Sequence, residues 1–409
     1  MKKRAFLFLQ GVCSPFFTRL GDRLKAEGHA VYKVNFNVGD MAYWGLRSNE
    51  RFSGTMDELP GFIQHCLQRF AITDQVLFGD CRPVHRAAIQ IAQNFGIRTH
   101  VFEEGYFRPH WITLEREGVN GHSLLPRDPD WFIDSGKRLG KLPDPVPFTS
   151  PFWKRAAHDV IYHCASAWNW LAFPRYRTHA PFNAIVEYAG YIKQLPKLRL
   201  IAKREENRCS EIISSQKPYY LLPLQLASDA QILVHSSYNG MHDVLEKVLG
   251  SFAQHATSSS VLVIKNHPLD IGLVNYRALV FKLAHRFGLS SSRVIFLEGG
   301  NLNTLSQRAK GMITVNSTSG MIALQHGCPV FTLADPIYNL PGLTFQGELD
   351  DFWIEGFKPD NDLFIQFRKT VIHTTQINGG YYCSKGIELA IENALVHLTS
   401  EQSPLEKLL

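Results

Sequence analysis

The chain has 409 residues, of which 45% are hydrophobic and 20% are charged, and this balance excludes a disordered or fibrous protein. Lysine and arginine number 43 against 37 acidic residues, which gives a net charge of +6. This excess suits an anionic substrate or membrane surface and is too small to predict nucleic-acid binding. The length favours two or three domains, and we expect two.

Several other classes are excluded. The seven cysteines are scattered and contain no CxxC pair, which predicts reduced thiols, no disulfides and no zinc site. Residues 1–9 resemble the start of a signal peptide, but the apolar run stops at Gln10 without a cleavage site, so we interpret them as a first strand. No run approaches the ~20 apolar residues of a membrane-spanning helix, and we expect any membrane contact to be peripheral.

The first third of the chain predicts two strand–helix–strand units. Residues 5–9 form an apolar run, Ser14-Pro15 predicts a helix start, and Gly28 predicts its end. The other predicted elements are a strand at 29–35, a strand at 75–78, a helix at 83–95 and a strand at 98–102. Such units predict a parallel sheet with right-handed crossovers.

The pattern changes between residues 143 and 196. A helical stretch at 152–173 mixes three tryptophans with basic residues and shows few strand signals. From residue 219 alternation resumes, with predicted strands at 220–224, 261–264, 294–297, 312–315 and 330–333. This alternation of strands and helices predicts a second doubly wound domain. The tail from residue 363 is predicted to be helical.

We therefore expect an amino-terminal domain over residues 1–205 that includes the helical region at about 150–200. A carboxyl-terminal domain is expected over 206–362. Helices at 363–409 are expected to pack back across the domain boundary.

Polar clusters follow two predicted strands of the second half. The turn Asn316-Ser317-Thr318-Ser319-Gly320 precedes a helix, where free amides and the helix dipole can bind a phosphate, although plain capping by a hydroxyl is the alternative. His267 follows another strand together with Lys265, Asn266 and Pro268. An imidazole beside a lysine suits a phosphate or leaving group, whereas a lone histidine can also be structural.

Carboxylates lie at other strand ends. Asp229 follows the strand that ends near Gln225 and could serve as nucleophile or base, or as the N-cap of a helix. Glu103 and Glu104 end the strand at 98–102. Because neighbouring strand residues point to opposite faces, one glutamate is expected to face a cleft and the other to pair with a cation.

Taken together, the ordered motifs resemble the capsule polysaccharide synthesis family, from residue 6 to about 345. Within it they are similar to the single-module retaining β-Kdo transferases of the KpsS type. The motifs are Gln10-Gly11-x-x-Ser14-Pro15-Phe16-Phe17, Asn35-Phe36-Asn37-x-Gly39-Asp40 with Tyr43-Trp44, Phe102-Glu103-Glu104-Gly105-Tyr106 with Arg108-Pro109, Gln225-x-x-x-Asp229, Lys265-x-His267-Pro268 and Asn316-Ser317-Thr318-x-Gly320.

The resemblance implies an α/β, GT-B-like fold with two Rossmann-like doubly wound domains that face a central cleft, and an inserted aromatic and basic helical region. It implies a glycosyltransferase that starts the poly-Kdo linker of bacterial capsules. The implied donor is CMP-β-Kdo, bound by the carboxyl-terminal domain. The implied acceptor is lysophosphatidylglycerol or phosphatidylglycerol, bound by the amino-terminal domain.

The resemblance also implies roles for individual residues. Asp229 becomes the candidate nucleophile of a double displacement, and Glu104 or Glu103 the candidate base. Ala230 stands where a small hydroxyl residue is common, a departure next to the nucleophile. The residues expected to bind the donor are Lys265, Asn266, His267, Pro268, Asn316, Ser317, Thr318, Ser319, Gly320, Gln10, Gly11, Ser14 and Gln225.

No cofactor, metal or nucleic acid is expected. The implied location is the cytoplasmic face of the inner membrane, where capsule synthesis and export proteins are expected partners. The stretch from Trp153 to Arg177 could dock on an anionic leaflet or could be buried between domains. Two other functions stay open: a UDP-sugar epimerase or transferase of the same fold, and a non-catalytic lipid-binding component of capsule export.

Overall fold

The computed structural model describes residues 3–178, 184–226, 232 and 234–409. The backbone separates into two compact units. The first comprises Met1–Pro126, Lys137–His179 and Arg368–Leu409, and the second comprises Arg127–Gly136 and Ala180–Phe367.

The described elements of the first half are β1 (Ala5–Phe8), α1 (Phe16–Ala26), β2 (Ala30–Asn35), α2 (Val38–Trp44), β3 (Glu50–Arg51), α3 (Leu59–Arg69), β4 (Asp74–Phe78), α4 (Pro83–Asn94), β5 (Arg98–Glu104), β6 (Trp111–Arg116), α5 (Pro129–Arg138), α6 (Phe152–Ser166) and α7 (Asn169–Ala172). Those of the second half are α8 (Ala184–Ser214), β7 (Tyr219–Pro223), α9 (Met241–His255), β8 (Val261–Lys265), α10 (Tyr276–Arg286), β9 (Val294–Leu297), α11 (Leu302–Ser306), β10 (Gly311–Thr314), α12 (Ser319–Gln325), β11 (Val330–Thr332), α13 (Leu349–Phe352), α14 (Asn361–Thr375), β12 (Gln376–Asn378) and α15 (Ser384–Thr399).

The first unit is built on a seven-stranded sheet, in the order β12-β6-β5-β4-β1-β2-β3. Strands β1 to β5 are parallel, while β6 is antiparallel to both of its neighbours. Along β1, Phe6 and Phe8 pack with α1 and α15, whereas Leu7 on the other face packs with α3 and α4. Helices therefore cover both faces of the sheet, which explains why β1 is apolar at every position.

The second unit contains a fully parallel sheet in the order β11-β10-β7-β8-β9. Tyr220 and Leu222 of β7 pack into a core with α9 and α10, and their neighbours Tyr219 and Leu221 are buried on the opposite face. In both units the order reverses at the first strand, next to β4 in one sheet and next to β10 in the other. Such a reversal opens a crevice at the carboxyl ends of the strands, where ligands bind.

The predicted α/β class with two doubly wound units is confirmed, and each predicted strand exists within one or two residues. The helix predicted to start around Ser14-Pro15 begins at Phe16, and the Ser14 hydroxyl accepts a hydrogen bond from Phe16 N. The tail prediction is wrong in one respect, because β12 interrupts its helices. This three-residue strand forms by pairing with β6, a contact that local sequence cannot indicate.

The domain boundaries at residues 205 and 362 stay predictions. Helix α8 runs through residue 205, and Arg368–Leu409 groups with the first unit. Among the described residues, no helix is both long enough and apolar enough to cross a bilayer.

The start of β4 carries a buried acid that ties the first unit together. Asp74 is 0% exposed and accepts hydrogen bonds from His100 Nε2 at 2.8 Å, Arg4 Nη1 at 3.1 Å and Thr73 Oγ1 at 2.7 Å. Burial alone would raise the pKa of Asp74, but the hydrogen bond and charge of His100, with Thr73 and Arg4, hold this pKa below its ordinary value. The folded state therefore favours the ionised form.

We predict that Asp74→Asn lowers the free energy of unfolding at pH 7 by about 3–5 kcal/mol, because Arg4 and His100 lose their buried partner. A carboxylate whose pKa falls on folding stabilises the protein above its unfolded pKa of about 3.9, and this stability is lost as pH falls through the folded value. Denaturant unfolding at pH 7 and pH 3.5 measures this, and the difference should shrink at pH 3.5.

The matched control is Asp22→Asn, which removes an exposed pair with Arg47 and should cost under about 1 kcal/mol. Equal stability of the two variants at pH 7 would contradict the role assigned to Asp74.

Candidate functional site

In the second unit, the loops that follow β7, β8 and β10 are joined by hydrogen bonds. Leu224 N donates to Lys265 O at 2.8 Å. Gln225 Nε2 donates to Asn316 Oδ1 at 3.3 Å, and Gln225 Oε1 accepts from Asn316 N at 3.5 Å. These bonds lie where the strand order reverses, so the polar loops meet at the expected ligand crevice. The candidate nucleophile Asp229 and its neighbour Ala230 lie outside the described residues.

The turn after β8 fixes the orientation of the His267 ring. His267 N donates to Asn266 Oδ1 at 2.9 Å, and His267 Nδ1 accepts from Leu269 N at 3.1 Å. The amide nitrogen of Asn266 is held in turn by Asp270 at 3.0 Å and Glu298 at 3.3 Å. Because Nδ1 accepts, the neutral ring carries its proton on Nε2, which makes Nε2 a hydrogen-bond donor.

Lys265 ends β8 as a buried cation. Its side chain is 7% exposed, and Nζ donates to Asn266 O over a long 3.4 Å. Burial lowers the pKa of Lys265 from its ordinary value. Among the described residues, no carboxylate lies within ion-pair distance of this ammonium. A buried cation without an acidic partner favours the binding of an anion.

The turn after β10 serves both structure and ligand chemistry. Ser317 Oγ accepts from Ser319 N at 3.2 Å, so one hydroxyl caps the turn. Ser319 Oγ is buried and has no partner among the described atoms. A Cβ on Gly320 would lie 2.4 Å from Tyr338 Oη, which donates to Ser317 O, so glycine is required for this packing.

The residues predicted to bind the donor in the second half therefore share one edge of one sheet. Strands β8 and β10 both flank β7, and two strand spacings place their ends roughly 10 Å apart.

In the first unit, Gln10 lies at the centre of a hydrogen-bond network. Its side chain is 1% exposed, and Nε2 reaches Tyr162 Oη at 3.1 Å, Tyr176 Oη at 3.2 Å and Asp40 Oδ2 at 3.5 Å. Asp40 also accepts from Tyr162 Oη and Phe36 N, both at 3.1 Å. The network joins the loop after β1 to α2 and α6.

Gly11 and Ser14 have local structural roles in this unit. A Cβ on Gly11 would lie 2.7 Å from the Phe17 ring, and Gly11 O accepts from Arg82 Nη1 at 3.0 Å. Ser14 holds the start of α1, as described above. The contact of Gly11, Ser14 and Gln10 with a nucleotide stays a prediction.

The two glutamates of β5 have different environments. Burial raises the pKa of Glu103 to about 7, and Glu103 Oε1 accepts from Glu104 N at 2.9 Å. The carboxylate of Glu104 instead pairs with Arg155 of α6 at 3.3 Å. One glutamate thus pairs with a cation, as expected, and the other has a pKa suited to proton transfer near neutral pH.

In the stretch of α6 and α7, hydrogen-bonding side chains face the rest of the first unit, whereas the tryptophans face the solvent. Tyr162 bonds to the Gln10 network, and Asn169 Oδ1 accepts from Val38 N at 2.8 Å. The exposed fractions of Trp153, Trp168 and Trp170 are 64%, 60% and 67%. These tryptophans are therefore surface residues in the structure.

Sequence reasoning missed the site residues Asp40, Tyr162 and Arg82. Asp40 was quoted only as part of a motif, and Tyr162 only lay within a helical stretch. Arg82 lies in the loop after β4, four residues beyond the last strand residue Phe78, and this position near a strand end was an available signal.

Two doubly wound units with polar loops at their strand-order reversals define a doubly wound α/β protein, a class in which ligands bind at the carboxyl ends of the strands. The family model described as "Capsule polysaccharide biosynthesis protein" matches residues 73–382. The chain belongs to this family.

Two relatives with more than 30% sequence identity support this assignment. The capsule polysaccharide export protein KpsS of Escherichia coli is 36% identical over 383 residues, which cover 93% of this chain and 97% of the relative. The capsule polysaccharide modification protein LipB of Neisseria meningitidis serogroup A is 34% identical over 387 residues, which cover 92% and 91%. Among solved structures, the β-Kdo 2,7 transferase of Thermosulfurimonas dismutans KpsC matches with 13% identity, a TM-score of 0.43 and coverage of 96% and 99%.

We predict that Glu103→Gln stabilises the protein at pH 8 and has little effect at pH 5. A carboxyl group whose pKa rises on folding favours the folded state while protonated, and stability falls as pH rises from its unfolded pKa of about 4.3 to about 7. Thermal unfolding at both pH values measures this effect.

Glu104→Gln is the matched control, because its carboxylate pairs with Arg155 and gains nothing from neutralisation. If Glu103→Gln has the same melting temperature as the wild type at pH 8, Glu103 is not protonated near neutrality.

Proposed function

We propose that the protein is a glycosyltransferase that transfers a β-Kdo residue from CMP-β-Kdo to a lysophosphatidylglycerol or phosphatidylglycerol anchor. This reaction would start the poly-Kdo linker of a bacterial capsule. Family membership and the ordered motifs support the assignment. The observation that carries it is Lys265, a buried cation without an acidic partner in the described part of the chain, two residues before the oriented His267.

The donor phosphate would bind at the strand ends of the second unit. Lys265 Nζ supplies positive charge, His267 Nε2 donates a hydrogen bond, and the hydroxyls of residues 317–319 complete the contacts. These groups stabilise the negative charge that develops on CMP as it leaves. Because the donor carries a single phosphate, the protein's own cations can stabilise the charge on the leaving group. We therefore propose that the reaction needs no metal.

Asp229 is the proposed nucleophile. Its carboxylate attacks the anomeric carbon of Kdo, the bond to the CMP oxygen breaks, and the electron pair leaves with CMP. The acceptor hydroxyl then attacks the same carbon, its proton passes to a base, and the bond to Asp229 breaks. Two inversions give overall retention.

Glu103 is the proposed acceptor base, because its pKa of about 7 lets it accept a proton near neutral pH. Glu104 is the weaker candidate because Arg155 already occupies its carboxylate.

We propose peripheral attachment to the cytoplasmic face of the inner membrane through α6 and α7. Three exposed tryptophans and the following Arg175 and Arg177 suit an anionic interface. Capsule synthesis and export proteins are the proposed partners there.

We predict that His267→Ala lowers kcat/KM for CMP-Kdo by about 10²–10³-fold, because one donor to the leaving phosphate is lost. Purified protein with CMP-Kdo and a fluorescent lysophosphatidylglycerol, with the product mass as readout, measures turnover. The matched control is His285→Ala, an exposed histidine on α10 of the same unit, which should leave turnover unchanged.

Turnover of Asp229→Ala at the wild-type rate would remove the nucleophile assignment, and a lower rate in chelator would contradict metal independence.

The name of the KpsS relative favours a second candidate, a non-catalytic component of capsule export. Turnover by the purified protein alone would exclude it. A larger thermal shift with UDP than with CMP would instead favour a UDP-sugar enzyme.

A further inference from the structure

The first unit contains a cavity of ≈240 Å³ whose lining residues all belong to that unit. It lies where the loops after β1 and β4 meet the chain that follows α7. Three arginines line it, namely Arg82, Arg175 and Arg177. Another part of its wall is apolar and includes Phe52 and Met56. The cavity is thus both cationic and hydrophobic.

Arg82 is held in a fixed orientation. Its Nη1 donates to Gly11 O at 3.0 Å, and its guanidinium lies 5.4 Å from the centre of the Phe78 ring. Among the described residues it has no carboxylate within ion-pair distance. A guanidinium fixed in this way keeps further donors for an anion, and its planar fork matches a phosphate.

The other two arginines are exposed. Arg175 approaches Glu58 only to 3.9 Å, in a pair whose members are both about 60% exposed, so this contact contributes little. Within the described ranges, Arg177 forms no ion pair. Both side chains can therefore turn to a ligand at small cost.

The size of the cavity limits what can enter. The volume of ≈240 Å³ lies just below the roughly 300–1,000 Å³ of pockets for drug-sized ligands, so the cavity suits a group of headgroup size. The exposed Leu171 lies four residues before Arg175, at most about 14 Å along the chain. A ligand held by these arginines can therefore keep its acyl chain at the surface formed by α7.

We propose that this cavity binds the phosphodiester headgroup of an anionic glycerophospholipid and so forms the acceptor subsite. The three guanidinium groups contact the phosphate, and the apolar wall contacts the glycerol backbone and the first methylene groups. The identity of the lipid as acceptor rests on the proposed function, whereas its binding does not require catalysis.

The test is calorimetric titration of the full-length protein with short-chain lysophosphatidylglycerol below its critical micelle concentration, without donor. Lysophosphatidylcholine of the same chain length and free glycerophosphoglycerol are the comparison ligands. The double variant Arg175→Ala, Arg177→Ala should weaken lysophosphatidylglycerol binding at least 10-fold, with an unchanged thermal shift for CMP. Met56→Ser, at a half-exposed position, should weaken binding of the lysolipid but not of the free headgroup.

The matched control is Arg23→Ala, Lys25→Ala, which removes two exposed charges from the last turn of α1 and should bind as the wild type does. Wild-type binding that the cavity variants leave unchanged would overturn the cavity assignment and leave the proposed transferase intact. Equal affinity for lysophosphatidylcholine would overturn the preference for an anionic headgroup. Equal affinity for free glycerophosphoglycerol would overturn the contact between the lipid and the apolar wall. Turnover of CMP-Kdo with an acceptor that lacks a phosphate would overturn the lipid acceptor while the donor assignment stands.

Discussion

The direction of the parallel strands, and the reversal of their order, determines where chemistry can occur in each unit. β1 lies between β2 and β4, and β7 lies between β8 and β10, so the loops that follow these central strands diverge and open a crevice. Each unit places a buried glutamine just beyond its central strand. Gln10 bonds to α2 and α6, and Gln225 bonds to the loop after β10. The two glutamines use their amides to fix neighbouring loops, which leaves the loop side chains around them to contact ligands.

Two buried lysines differ in how the hydrogen-bonding capacity of their ammonium groups is satisfied. Lys33 donates to Leu9 O and Val34 O, both at 2.8 Å, and burial lowers its pKa to about 8. Its ammonium is satisfied by the backbone, and it stabilises the sheet. Within the described ranges, the ammonium of Lys265 makes one hydrogen bond, a long one of 3.4 Å to a carbonyl, although Lys265 is nearly as buried as Lys33. Since an unsatisfied buried charge is costly, only the second lysine favours a ligand that supplies the missing acceptors.

The sequence was sufficient for the parallel strands because strands covered on both faces are continuous apolar runs, as β8 and β9 show. It was insufficient for β12, whose three residues become a strand only by pairing with β6. The same distinction holds at the site. The positions of Lys265 and Ser317 at strand ends could be predicted because each comes at the close of an apolar run, Lys265 as the last residue of β8 and Ser317 three residues after β10. The contact of Tyr162 with Asp40 spans 122 positions, and the Arg155 pair that separates Glu104 from Glu103 spans 51. Alternation shows that two neighbours face opposite ways, but only tertiary contacts decide which one pairs with a cation.

The contacts of helix α6 explain why its sequence permitted two interpretations, docking on an anionic leaflet or burial between domains. None of its residues is buried, and polar contacts hold it in place, including Tyr162 at Gln10 and His158 with Tyr43. Its amphipathic character is therefore reversed relative to a core helix, whose apolar side faces inward. Burial of apolar surface stabilises a protein by about 25 cal/mol for each Å², and the exposed aromatic residues lack this stabilisation. The proposed attachment to an anionic bilayer would cover these aromatic residues and would bring the basic residues that follow them in the chain close to the charged headgroups.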